Sequence, residues 1–264
     1  MKRILSSMFL AALMLAIATG ASAANFTLSA GATAGSPLPG TIPGGGSNDF
    51  LQPSATAIFP LANIGGYYGS TVNYSVVGTG QVTFEFFGGE AGFHNQFFYN
   101  DGSGMALVTD GVTPFDHSGT PAIVIAPNLA SPFSTKSYAI SGSGILPFEF
   151  MVNGLAGGLT GGPINGLNPL NTPGLPPNFF VACDNGQGLS PTAPVAQPAP
   201  CTGSLYVFLD DNGANNDDNH DDLLVRITLT DGRIPPPPVP EPTSFALLGS
   251  GLIGLGIVAR KVRK

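Results

Sequence analysis

The chain has 264 residues, 9% of them charged, with 37 Gly, 25 Pro, 18 Phe, 6 Tyr and no Trp. Low charge with abundant apolar residues excludes a disordered chain, which needs the opposite balance, and so many turn residues predict short strands. Residues 24–239 hold fifteen acidic and three basic residues, a net charge of −12, so no patch can neutralise phosphates and nucleic-acid binding is excluded.

The N-terminus opens with Lys2 and Arg3, continues as an apolar stretch over 4–19, and reaches Ala21-Ser22-Ala23. This is the three-part layout of a secretory signal peptide, with Ala21 and Ala23 in the cleavage pattern. The sequence therefore predicts an N-terminal signal helix in residues 1–23, removed on export. Residues 24–53 are rich in Gly, Ser, Pro and Thr. They are expected to form a flexible leader with at most one strand at 26–29. Gly44-Gly45-Gly46 is followed by no lysine, so it is not a phosphate loop.

From residue 54 to 232 short alternating runs are separated by Gly, Pro, Asn and Asp. The runs fall at 71–77, 81–87, 93–99, 122–126, 137–141, 145–152, 179–183, 204–209 and 223–229. Val82, Phe84 and Phe86 share one face, which places Glu85 away from that core. Period-2 runs punctuated by turn residues predict an all-β domain, an antiparallel β-sandwich of jelly-roll type. Residues 155–177 are mostly Gly, Pro and Asn and are expected to be a long loop.

Cys183 and Cys201 both lie in the exported part and are expected to pair. The loop between them holds Pro191, Pro194, Pro198 and Pro200. A bridge over this span stabilises by about 3 kcal/mol in the chain-entropy picture.

Between the runs 204–209 and 223–229 lies an acidic loop with Asp210, Asp211, Asn212, Asp217, Asp218, Asp221 and Asp222. Hard oxygen ligands this close together suit Ca²⁺, which takes 6–8 oxygens. The loop lacks the EF-hand spacing and a closing Glu. Two readings stay open: a calcium site, and a solvated acidic turn.

Catalytic motifs are missing. His94, His117 and His220 are the only histidines, and neither a metalloprotease His pair nor a Gly-x-Ser-x-Gly elbow is present. Asp116-His117-Ser118 is consecutive, whereas triads assemble in space. The sequons at Asn25 and Asn73 read as coincidental. The chain is expected not to be an enzyme.

The C-terminus opens with four prolines at 235–238, then Val239-Pro240-Glu241-Pro242, an apolar run over 245–259, and a basic tail over 260–264. The segment 233–244 is a stiff spacer. The run 245–259 is a short transmembrane helix, and the tail stays cytoplasmic by the positive-inside rule. This end resembles the PEP-CTERM sorting signal of Gram-negative bacteria, in which a Pro-Glu-Pro, a short hydrophobic helix and a basic terminus follow one another. The resemblance covers about the last 26 residues.

It implies that an exosortase-type enzyme processes the chain at Val239, Pro240, Glu241 and Pro242, after an inner-membrane stage. It implies delivery to the cell surface or extracellular matrix, in bacteria that make exopolysaccharide or biofilm. The leading expectation is a structural or adhesive surface protein. The alternative is a carbohydrate-binding module for exopolysaccharide, with sugar-stacking aromatics drawn from Phe93, Phe97, Phe98 and Tyr99 or from Tyr67 and Tyr68. A secreted hydrolase ranks last.

Overall fold

Each regular element of the described chain is a β-strand. The computed structural model describes residues 24–231 apart from 34, 45–47, 49, 52–57, 92–94, 108–121, 153–154, 157–161, 173–175, 185–187, 195–199 and 214–219. The chain divides into two units, 1–232 and 233–264, and the described residues all belong to the first. The expected signal helix and C-terminal helix lie outside the described residues.

Thirteen strands follow in order. They are β1 (Asn25–Ala30), β2 (Leu38–Pro43), β3 (Asn63–Tyr68), β4 (Ser70–Ala91), β5 (Asn95–Asn100), β6 (Met105–Leu107) and β7 (Ala122–Ile125). Then come β8 (Ser134–Ile145), β9 (Phe148–Val152), β10 (Leu155–Ala156), β11 (Asn178–Asp184), β12 (Ser204–Asp210) and β13 (Leu223–Asp231). A nine-stranded sheet runs β1-β4-β13-β12-β11-β3-β2, with β7 and β8 also on β4. A four-stranded sheet runs β10-β9-β5-β6. All pairings between strands are antiparallel. The all-β antiparallel class is as the alternation predicts. The strand order is not two matched jelly-roll sheets: the larger sheet curls into a half-barrel about its longest strand.

That strand is β4, with 22 residues. Its Ser70–Ser75 half pairs with β1 and its Gly80–Gly88 half with β13, on the same edge. On the opposite edge β8 runs along both halves. Sequence alternation suggests two strands broken at Gly78. Instead the register with β8 shifts between Ser75 and Thr79, so three residues of β4 face the single Gly142. Gly78 and Gly142 both take positive φ, 79° and 73°, a conformation that costs glycine nothing. A bulge of this kind bends and twists its strand, and here it bends β4 without ending it.

Two clusters of buried side chains follow from the alternation. The first joins Val72, Val82, Phe84 and Phe86 of β4 to Leu205, Val207, Val225 and Ile227 of β12 and β13, and to Phe97, Tyr99, Phe148 and Phe150 of the smaller sheet. Phe84 meets the Phe97 and Tyr99 rings at 5.5 and 4.8 Å. The second cluster takes the opposite side chains of the same strands, Phe87, Tyr206, Phe208 and Leu224, and covers them with Ile42, Phe50, Leu51, Phe59 and Ile64. Strand β12 is thus buried on both faces, as its continuous apolar run 205–209 requires. Each fully buried Phe or Leu contributes roughly 1.5–3 kcal/mol.

This second cluster corrects the reading of residues 24–53 as a flexible leader. Two edge strands, β1 and β2, lie there, and Phe50 and Leu51 are buried. Apolar residues are sparse in this segment because it supplies a lid of a few large side chains to a face already built by others.

The expected loop 155–177 is also fastened. Asn165 accepts the Val72 N–H at 2.8 Å and donates to the Val72 and Leu146 carbonyls at 2.8 and 2.7 Å. Asn168 accepts the Phe179 N–H at 2.9 Å and donates to the Phe179 and Ser70 carbonyls at 2.8 and 3.3 Å. Both asparagines are buried. They stand in for a neighbouring strand and satisfy backbone groups that would otherwise be orphaned.

Candidate functional site

The acidic loop joins β12 to β13, and its two ends are brought together by their antiparallel pairing. Asp210, Asp211, Asp221 and Asp222 are all buried, against the usual exposure of aspartate. Hydrogen bonds tie them to the frame. The Asp211 N–H donates to the Asp222 carboxylate at 2.7 Å, closing the base of the loop. The Asn212 N–H donates to Asp210 at 3.1 Å, a local turn. The Asn95 amide, from the smaller sheet, donates to Asp211 at 2.5 Å. His220 is buried too: its N–H donates to Asn48 at 2.7 Å, and its ring lies 5.5 Å from Tyr68 and 6.0 Å from Phe180.

This crowding has an electrostatic consequence. Burial, and then the nearby charges of Asp211, Asp221 and Asp210, hold the Asp222 carboxyl well above the usual carboxylate range. Among the described residues, however, no group of three or more His, Cys, Asp or Glu side chains is placed to hold one metal ion. Asp210, Asp211, Asp221 and Asp222 by themselves do not form such a group. These residues fasten a strand connection. Asp217 and Asp218 lie outside the described residues, so the full ligand set is not on view. The ends of the loop, Asp210, Asp211, Asp221 and Asp222, are buried.

Cys183 and Cys201 are bonded, with their Cα atoms 5.5 Å apart. Cys183 is the next-to-last residue of β11, while Cys201 exchanges backbone hydrogen bonds with Phe26 of β1 at 3.0 and 2.9 Å. The bridge therefore links the middle of the sheet to its β1 edge.

Glu85 points away from the first cluster, as alternation predicts, yet it is not simply solvated. Its two carboxylate oxygens accept from Arg226 at 2.6 and 2.7 Å across the β4–β13 pair. The Arg226 guanidinium also sits 5.2 Å from the Phe87 ring centroid. This pair clamps β4 to β13.

Of the aromatics considered for stacking on sugars, Phe97, Tyr99 and Tyr67 are buried. Tyr68 is half-buried against Phe180, at 4.8 Å. Phe93 lies outside the described residues, as do His94 and His117. Phe98 is half-buried, and the described rings belong to the core or its edges.

Residues 238–264 match the PEP-CTERM protein-sorting motif. The chain carries that motif at its C-terminus. A PEP-CTERM motif implies an exported protein that is sorted by an exosortase and anchored in the membrane before processing. The matched range takes in Val239, Pro240, Glu241 and Pro242, the apolar run 245–259 and the basic tail. Among the described residues no helix is long and apolar enough to cross a membrane. The apolar run, like Ala21 and Ala23 of the cleavage pattern, lies outside them. No curated protein matches the chain.

Proposed function

We propose that this is a non-enzymatic, exosortase-sorted protein that reaches the cell surface or extracellular matrix and serves there in a structural or adhesive role. The PEP-CTERM motif over 238–264 is the observation that carries this reading. Three features support the finer part. Among the described residues, Asp211, Asp222 and Glu85 are tied into hydrogen bonds that hold strands together. The Cys183–Cys201 bridge suits an oxidising compartment. The antiparallel fold, buried on both faces at its centre, offers a rigid body to display. Calcium at the acidic loop would add a brace at the β12–β13 connection if Asp217 and Asp218 complete a ligand set.

The test follows the full chain in a host that carries an exosortase and in the same host without it. The wild-type protein is expected at the surface or in the matrix, shortened at its C-terminus. Replacing Pro240, Glu241 and Pro242 with Ala is expected to leave an uncut protein in the inner membrane. Normal delivery of that triple variant would refute sorting through the motif.

A further inference from the structure

The start of β1 and the end of β13 meet at one point of the sheet. The two strands lie end to end along one edge of β4: Asn25 opens β1 opposite Ser75, and Asp231 closes β13 opposite Gly80. Between those positions β4 carries its bulge. The Asp231 carboxylate spans the gap. One of its oxygens accepts the Ala24 N–H at 3.0 Å, and the other accepts the Val77 N–H at 3.4 Å. Ala24 itself is half-buried and packs against the first cluster. We infer that Ala24 is the first residue of the mature chain, and that its α-ammonium, released when residues 1–23 are removed, forms an ion pair with Asp231 that latches β1 to β13.

Cleavage changes the chemistry at this nitrogen. Ala21 and Ala23 direct the cut to the Ala23–Ala24 bond. A signal peptidase of the host hydrolyses that amide with one water molecule. The C–N bond breaks, the water hydroxyl goes to the Ala23 carbonyl carbon, and the water hydrogen goes to the Ala24 nitrogen. The new carboxylic acid on Ala23 then ionises. The new amine, with an ordinary pKa of about 7.7–8.0, takes up a proton at neutral pH. A neutral amide with one N–H thus becomes a cation with three. Asp231 already holds the nitrogen 3.0 Å from a carboxylate oxygen, which is ion-pair distance.

The surroundings favour this terminus. A cut one residue later would remove the Ala24 nitrogen and with it the donor to Asp231. Arg226 is committed to Glu85, and among the described residues no basic side chain pairs with Asp231. In a body with fifteen acidic and three basic residues, the released ammonium supplies a cation where a carboxylate waits for one. Chain ends stay loose unless something ties them down, and this pair ties the first residue to an interior strand. The precursor has only the amide at this position, so the latch exists only after export. The inference rests on residues 1–23 being a secretory signal and is independent of the sorting motif.

The test uses the exported full chain, purified in detergent from the envelope of a host without an exosortase. Mass spectrometry of its N-terminal peptide is expected to find Ala24 first. Thermal melts then compare four forms in one cycle. They are the wild type, a single glycine inserted after Ala23, Asp231→Asn, and the two changes together. The insertion moves the ammonium away but keeps an N–H on Ala24, and Asp231→Asn keeps an acceptor oxygen but removes the charge. Each change alone is expected to lower the melting temperature by about 2–4 °C at low salt, and the pair by no more than either alone. High salt should shrink the loss. A first residue other than Ala24 overturns the inference. So does an insertion that costs nothing, or one that costs as much beside Asp231→Asn as it does in the wild type. A chain that keeps residues 1–23 refutes the export reading as well, whereas a cut before Ala24 without coupling to Asp231 refutes the latch alone.

Discussion

Asn165 gives the sharpest test of how this fold satisfies its backbone. Replacing it with Ala removes the partner of the Val72 N–H. The Val72 carbonyl keeps the Leu146 N–H at 3.0 Å, and the Leu146 carbonyl keeps the Phe148 N–H at 2.9 Å. One buried group is then orphaned, so the loss should be about 1–3 kcal/mol. For a domain of this size each kcal/mol lowers the melting temperature by about 2–4 °C. Urea unfolding and thermal melts of the oxidised protein measure both quantities. Asn165→Asp keeps the acceptor for Val72 but sets a carboxylate against two carbonyls. It should be worse than Ala at neutral pH and should recover as acid protonates it. A loss below about 1 kcal/mol for Asn165→Ala, or Asp tolerated better than Ala at neutral pH, would refute the bracing role.

Further outcomes follow from the same frame. Glu85→Gln should cost about 2–3 kcal/mol, because Arg226 loses a two-point partner at a largely buried position; a double-mutant cycle with Arg226→Met should show strong coupling in urea unfolding. Replacing both Cys183 and Cys201 with Ser should lower stability by about 3 kcal/mol, and adding reductant to that variant should change nothing more. Burial and neighbouring aspartates raise the Asp222 carboxyl above its unfolded value, so its favourable contribution is present in acid and is lost as pH rises through the elevated folded value. Asp222→Asn still offers an oxygen to the Asp211 N–H. It should therefore melt higher than wild type at about pH 7, with the difference closing near the ordinary carboxylate range of about pH 4.

The strands that carry strong alternation were readable. Runs at 204–209 and 223–229 became β12 and β13 almost residue for residue, because both faces of one and the inner face of the other are apolar. What escaped were elements whose partners, not their own composition, make them strands. Strand β2 contains two prolines and a glycine and sits at a sheet edge, where missing N–H groups are tolerated. Strand β3 contains Gly65 and Gly66, and the second packs its backbone against Phe180 and Val181 where a Cβ would collide. The long β4 was read as two pieces because a glycine inside an alternating run marks a turn and a bulge equally well.

The candidate sites show the same division. The cysteine pair and the PEP-CTERM motif are local in sequence or few in number, so they could be named from it. The acidic loop was visible as a cluster of charge. That its ends turn inward and hold strands together depends on Asn95, over a hundred residues away.

The position of β13 has a mechanical meaning. It is the last described strand, it lies between β4 and β12, and the proline-rich spacer begins within a few residues of its end. A pull on the C-terminal attachment therefore enters the body through an interior strand. Drawn along its axis, β13 must slide against both neighbours at once, so its ladders share the load in parallel instead of opening one bond at a time.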